Sequence, residues 1–234
     1  MTTLPFKLSV DPAPSQFLLT VRGPMAPKTL DEGRKAHNLA AGSDQGVAAA
    51  RSFGDLSHAV FVPVQPNGAG AGELLIIDYW NSVEGLQTFF AQLPEQTAET
   101  TLFRDREAVV WAPAPGLPRL SLPAPTGHDE RWVGIARGPV ASVEAAGKHL
   151  TETMRKQVNT ARAKGLMSRE WFHRLARPGD GTAPEIIGVD IWFDADGMQA
   201  VYSDPAEMAA FAGLFTAAPQ TSVWKKPEGR WVEW

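Results

Sequence analysis

The stretch ELLIIDYW at Glu73–Trp80 decides the fold, because the chain contains it twice. The second copy, EIIGVDIW at Glu185–Trp192, lies 112 positions later, the step from position 73 to position 185. Glu, Asp and Trp are identical in the two copies, and the other positions are apolar apart from Gly188. The repeat predicts two copies of one structural unit, each built around this strand.

A second repeated motif extends this alignment. Arg22-Gly23-Pro24 ends one predicted strand, and Arg137-Gly138-Pro139 ends its counterpart. We therefore expect two domains, at residues 16–111 and 128–234, each large enough for its own core. Residues 112–127 contain five prolines and are predicted to form a semi-rigid linker. Residues 1–15 contain three prolines and are predicted to form an extended arm.

The order of elements predicts the fold class. In each copy a strand is followed by a helix, a hairpin, a second helix and a last strand, the β-α-β-β-α-β order of a ferredoxin-like unit. The first helix is expected to break at Gly42-Ser43, and further helix is expected from residue 205 to 215. The helices of such a unit cover one face of an antiparallel sheet, but the repeated strand is apolar on both faces. The second face therefore needs a cover too. We expect an α+β fold in which two tandem ferredoxin-like domains pack their sheets into a pseudo-dimeric α+β barrel.

Composition excludes several functional classes. The 234 residues have a net charge of −4 and a pI near 5.8, which argues against nucleic-acid binding. The chain has no cysteine, so thiol nucleophiles and cysteine-ligated metals are excluded. We find no signal-peptide pattern and no apolar run long enough for a membrane span. The expectation is a cytoplasmic protein with a small-molecule ligand.

At this point a known family can be named. The element order, Asp78-x-Trp80 and Asp190-x-Trp192, and the helix after each Trp resemble the dimeric α+β barrel superfamily. This superfamily includes antibiotic-biosynthesis-type monooxygenases and EthD-like proteins. Many monooxygenase-like members have a His in the helix after this strand, where the present chain has Phe89 and Val201. The resemblance implies two subunits of the usual dimer fused into one chain.

Three residues of the first copy are candidate catalytic groups. His37 lies on the apolar face of the first helix, and His58 shares a strand face with valines. A neutral imidazole at such a position can serve as a general base. Asp78 lies in the repeated strand and could deprotonate a small aromatic ligand. The competing interpretation is that both histidines are buried and hydrogen-bonded for structural reasons.

Four further residues are candidate ligand-binding groups: Arg22, Trp80, Asp190 and Trp192. A carboxylate beside a large aromatic side chain near the end of a sheet could bind a small aromatic ligand. In the structural alternative each Asp caps the next helix or pairs with Arg22 or Arg137, and each Trp fills the core.

Two functions therefore remain open from the sequence. The first is a cofactor-independent monooxygenase or isomerase acting on an apolar or aromatic metabolite. The second is a non-catalytic ligand-binding or scaffold protein. We expect no cofactor and no metal, because neither HExxH nor a Gly-rich phosphate loop occurs. Haem binding is a third, weaker hypothesis. The fused pair could also form a homodimer.

Overall fold

The computed structural model describes residues 16–64, 72–92, 101–121, 130–175, 181 and 183–234. The strands are β1 Phe17–Pro24, β2 Asp55–Pro63, β3 Glu73–Trp80, β4 Glu107–Ala112, β5 Arg119–Ser121, β6 Trp132–Pro139, β7 Leu166–Arg174, β8 Glu185–Trp192 and β9 Gln220–Lys225. The helices are α1 Leu30–Leu39, α2 Asp44–Ser52, α3 Val83–Phe90, α4 Val143–Ala163, α5 Ala195–Tyr202 and α6 Pro205–Ala209.

Eight of these strands close into an antiparallel barrel. The order is β4-β1-β3-β2 in the first half of the chain and β9-β6-β8-β7 in the second. The halves are joined by pairing of β2 with β9 and of β4 with β7, which leaves a ring. Each half thus has the ferredoxin-like strand order, and the α+β prediction is confirmed. The two sheets join edge to edge, in addition to facing each other.

The barrel interior explains why the repeated strand is apolar on both faces. Leu75 and Ile77 of β3 point inward, and so do Ile187 and Val189 of β8. They form one cluster with large aromatic side chains from both halves, including Trp111, Phe172 and Trp224. The opposite faces of the same strands contact the helices in separate clusters. Both faces are buried, as the pattern required.

Glycine marks the same turn in each half. Gly54 precedes β2 and Gly165 precedes β7, and their φ angles are +100° and +98°. L-residues with a side chain rarely adopt this conformation, which ends the preceding helix and starts the strand. The break predicted at Gly42-Ser43 is confirmed, because α1 ends at Leu39 and the Ser43 hydroxyl caps α2.

Two predicted elements differ from the structure. A helix was expected from residue 205 to 215, but α6 ends at Ala209, and Gly213 has a φ of +77° that a helix cannot contain. Part of the Pro-rich linker forms β5, which lies at the edge of β7, where the proline before it loses no ladder hydrogen bond. The arm expected at residues 1–15 and the linker from 122 lie outside the described residues.

Each half also receives a segment from the other. Residues 230–234 follow β9 and pack on the first half, where Trp231 joins the core under α1. Residues 114–117 follow β4 and pack on the second half, where Leu117 joins the core under α4. This exchange adds to the strand pairing between halves. No helix in the described ranges is long and apolar enough to span a membrane.

Candidate functional site

Two equivalent positions on the helix-covered face of the barrel contain buried charged groups. In the first half, His58 of β2 lies directly opposite Asp78 of β3. In the second half, Arg169 of β7 lies directly opposite Asp190 of β8. All four side chains are buried. The repeat therefore retains an acid at both positions but changes its partner from imidazole to guanidinium.

The first-half cluster is a hydrogen-bonded row. His58 Nδ1 lies 2.7 Å from Asp78 Oδ1, and His58 Nε2 lies 2.9 Å from His37 Nε2. His37 Nδ1 lies 3.0 Å from Asn38 Oδ1. Trp234 stacks on the His58 ring at 4.4 Å between centroids. The structure thus brings all three predicted catalytic residues together, although helix α1 and strands β2 and β3 supply one each.

Burial shifts the protonation of this cluster. It lowers the pKa of His37 to about 4, with His58 adding to the effect. It also raises the pKa of Asp55 to about 8, with a further contribution from the charge of Asp78. His37 is therefore neutral at pH 7 and a weak base, whereas Asp55 retains its proton.

The space next to this cluster is small. A cavity of about 60 Å³ is lined by His37, His58 and Asp78 together with apolar side chains that include Trp80 and Phe89. This volume has room for about two water molecules, and an aromatic ring does not fit unless side chains move. The described lining of this cavity therefore leaves no room for a metabolite.

The second half contains a large cleft instead. Its volume is about 1200 Å³, and it lies between the sheet and the segment that follows α5. The lining is mainly apolar, with aromatic and thioether side chains from both walls: Trp171, Met198, Met208, Phe211, Phe215 and Trp224. Ligand sites commonly combine such a lining with a few polar groups.

The polar groups of the cleft belong to one network. Arg169 Nε and Nη2 donate to the two oxygens of Asp190 at 2.9 and 2.6 Å. The Tyr202 hydroxyl donates to Asp190 at 3.0 Å. Burial raises the pKa of Tyr202 well above its ordinary value, and the charge of Asp190 adds to this rise. Tyr202 is thus a phenol at neutral pH.

Two polar atoms beside this network have no hydrogen-bond partner among the described residues. They are Arg169 Nη1 and Glu207 Oε2, and both are buried. Burial alone would lower the pKa of Arg169, but Asp190 and, more weakly, Glu207 raise it overall. An unpaired buried carboxylate oxygen is costly, and such groups concentrate at functional sites.

Two glycines account for the shape of the cleft. A Cβ on Gly134 would lie 1.9 Å from the Tyr202 hydroxyl, and one on Gly188 would lie 2.6 Å from the Trp171 ring. The equivalent residues of the first half, by their strand partners, are Leu19 and Ile76, which are buried in the core. Glycine in the second half therefore makes room for polar and aromatic side chains where the first half has aliphatic packing.

The predicted ligand-binding residues have different environments. Asp190 and Arg22 line the large cleft, whereas Trp80 lines the small cavity. Trp192 is fully buried and does not line the cleft; its indole donates to Tyr202 at 3.3 Å. Neither Asp pairs with Arg22 or Arg137, because Arg22 pairs with Glu73 and Arg137 pairs with Glu185 and Glu107. The structural alternative was therefore wrong about this pairing and about the caps, which Ser82 and Asp194 provide, but both Trp side chains do fill the core.

Sequence reasoning did not single out Arg169, Tyr202 or Glu207. Arg169 had a usable signal, since it aligns with His58 when Ser57 is placed on Ser168. Glu207 had none, because it lies in a short helix that the repeat does not share.

The donor atoms in the described residues do not suggest a metal centre. No group of three or more His, Asp or Glu side chains could coordinate an ion there. The described lining of the large cleft also contains no His, so it offers a haem no imidazole ligand.

No protein-family model and no curated protein sequence matches the chain. Solved structures do. An anthrone oxidase-like protein matches at a TM-score of 0.62 and 15% identity, over 93% of each chain.

Two further matches have lower scores. A ferredoxin-fold protein from Listeria monocytogenes, related to antibiotic biosynthesis monooxygenases, matches at 0.50 and 9% identity, over 92% of this chain and 96% of its own. A chlorite dismutase from Candidatus Nitrospira defluvii matches at 0.56 and 10% identity, over 91% of this chain and 90% of its own. The chain therefore has the same fold as these proteins, an α+β barrel with two ferredoxin-like halves.

Proposed function

We propose that the protein is a cofactor-independent, monooxygenase-type enzyme that oxidises an apolar or aromatic metabolite in the second-half cleft. The observation that carries the proposal is the cleft itself, with an apolar lining and an unpaired buried carboxylate oxygen on Glu207. Two matching structures are named for oxidation chemistry, an anthrone oxidase-like protein and a relative of antibiotic biosynthesis monooxygenases. Their low identity makes this support one of analogy.

Oxidation without a cofactor requires a substrate that can give electrons directly to dioxygen. In a substrate with an activated methylene group, Glu207 would accept a C–H proton. The carbanion would then transfer its electron pair to dioxygen and form a C–O bond as a peroxide. After protonation of the peroxide, loss of the second C–H proton and of hydroxide leaves a ketone. One oxygen atom enters the product and the other leaves as water.

The remaining polar groups would position the substrate. Arg169 lines the same cleft and places a positive charge near the negative charge that develops on the substrate. Asp190 accepts two hydrogen bonds from the guanidinium and holds it in place. It accepts a third hydrogen bond from the Tyr202 hydroxyl. A group restrained in this way reorganises little during reaction, which favours stabilisation of the transition state.

The test uses an anthrone as substrate, with dioxygen consumption and ketone formation measured together. Wild type should form one ketone for each dioxygen consumed. Glu207→Gln should lower kcat by about 100-fold or more, since a general base contributes roughly 10²–10⁴. Glu144→Gln, an exposed carboxylate on α4, is the matched control and should be unchanged. Equal activity of both variants would exclude Glu207 as the base.

One observation favours a second candidate, a ligand-binding protein without catalysis. Both oxygens of Asp190 accept hydrogen bonds from Arg169 or Tyr202, as expected of a group with a structural role beside a binding site. In that case the anthrone would bind to the protein, and dioxygen consumption would stay at the rate of the reaction in buffer.

A further inference from the structure

The hydrogen bonds of the first-half cluster determine which of its atoms carry protons. The first of these bonds are made by Asn38. Val232 N–H donates to Asn38 Oδ1 at 3.0 Å, and Asn38 Nδ2 donates to the Arg230 carbonyl at 2.9 Å. These two bonds fix the amide with its oxygen toward His37. Because that oxygen only accepts, His37 Nδ1 must carry a hydrogen and donate to it.

The neighbouring contacts then follow one after another. A neutral His37 with its hydrogen on Nδ1 has a lone pair on Nε2. His58 Nε2 lies 2.9 Å away and must therefore donate. His58 Nδ1 faces Asp78 Oδ1 at 2.7 Å, a contact that needs one more proton. That proton makes His58 an imidazolium if it is on nitrogen, or Asp78 an acid if it is on oxygen.

We propose that the first half contains a buried proton-binding site, in which His58 and Asp78 share one proton whose loss loosens segment 230–234 and opens the small cavity. Without this proton, two acceptor atoms face each other at 2.7 Å and repel. Segment 230–234 is directly affected, because Trp234 stacks on the His58 ring. The backbones of Trp234 and His58 also exchange two hydrogen bonds. Stacking on an aromatic ring also favours the imidazolium form.

The other groups around the site are compatible with a single shared proton. Burial and the charge of Asp78 raise the pKa of Asp55 to about 8, so Asp55 adds no charge at pH 7. Burial lowers the pKa of His37 to about 4, so His37 adds none either. Of the charged side chains nearby, Arg51 on α2 is exposed, and Glu233 pairs with Lys226. At neutral pH the groups that surround the site therefore add no net charge to it.

The same contacts give the expected pH range. Below about pH 4, a second proton on His37 would place two N–H groups against each other at Nε2. Above about pH 8 Asp55 loses its proton, which leaves negative charge in an apolar site, and loss of the shared proton adds to this charge. Segment 230–234 should therefore be closed at neutral pH and should open in both acidic and alkaline solution.

Two measurements on the full-length protein test the proposal. The first is ¹⁵N NMR of the histidine ring nitrogens at pH 7. His58 Nε2 should be protonated, His37 should be protonated only on Nδ1, and a proton should bridge His58 Nδ1 and Asp78. A neutral His58 with its only hydrogen on Nδ1 would contradict the proton count.

The second is amide exchange of Val232 and Trp234, corrected for the intrinsic exchange rate at each pH. In wild type their opening constant should rise at least tenfold between pH 7 and pH 10. Asp78→Asn should reduce the rise, because the amide N–H can donate to His58 Nδ1 and does not titrate, and adding Asp55→Asn should remove the part that Asp55 contributes. Asp44→Asn, an exposed first-turn residue of α2, is the control and should behave like wild type.

Three results would overturn the proposal. One is a wild-type opening constant that does not change with pH, and another is an Asp78→Asn variant that opens as wild type does. The third is a stoichiometric transition metal in the purified protein that EDTA removes, because the facing Nε2 atoms would then be metal ligands.

Discussion

Replacing Arg169 by Met tests how much the buried ion pair between Arg169 and Asp190 in the large cleft contributes to the free energy of unfolding. Arg169 is 2% exposed, and its guanidinium makes two hydrogen bonds to Asp190, which is 7% exposed. In Arg169→Met the Asp190 carboxylate keeps only the Tyr202 hydroxyl as a side-chain donor. Removing one partner of a buried ion pair typically costs about 3–5 kcal/mol, because an uncompensated charge remains.

The assays are urea unfolding, which gives the free energy of unfolding, and thermal unfolding, which gives the melting temperature, both followed by circular dichroism. A loss of this size should lower the melting temperature by roughly 10 °C, at about 2–4 °C per kcal/mol for a chain of this length. Arg155→Met, an exposed arginine on α4, is the control and should change stability by less than about 0.5 kcal/mol.

A double variant separates the lost ion pair from lost packing. Arg169→Met with Asp190→Leu removes both charges and should recover most of the stability. The reasoning would be refuted by an Arg169→Met variant within about 1 kcal/mol of wild type, or by a double variant less stable than the single one.

Three further predictions concern packing and pH. Gly134→Ala should displace the Tyr202 hydroxyl, which a Cβ would approach to 1.9 Å, and cost about 2–4 kcal/mol of unfolding free energy; in a Tyr202→Ala background the cost should be smaller. Acid should destabilise the protein through His37, because its folded pKa of about 4 lies below the unfolded 6.5 and the unfolded chain binds the proton first. The loss from pH 6.5 to pH 4 should approach about 3 kcal/mol in urea titrations, and His37→Asn should reduce it. Trp111→Phe should cost about 1–2 kcal/mol by leaving the buried Thr20 hydroxyl without its indole donor.

The sequence was sufficient to predict the barrel, for identifiable reasons. A strand apolar on both faces and repeated once requires two covers per sheet, and the second sheet is the nearest apolar surface. Strand alternation and helix periodicity placed His37 and His58 on the apolar faces of their elements, and the structure brings them together with Asp78. These are local rules, and the described residues obey them.

The location of the large cleft could not be read in the same way. It depends on Gly134 and Gly188 leaving space, and on Tyr202 and Trp171 occupying only part of it. The effect of a glycine depends on what lies above it, which is a tertiary contact. Glu207 could not be identified from the sequence either. Its position depends on where α6 ends and on Gln157, whose side chain donates to the Glu207 carbonyl.

The most direct test of the proposed site is a crystal structure of the protein with a tricyclic aromatic ligand such as an anthrone. The account predicts the ligand in the second-half cleft, in contact with Trp171 and Met198, with the first-half cavity unchanged. A ligand bound in the first half beside His58, or on the outer surface with the cleft filled by protein side chains, would contradict it.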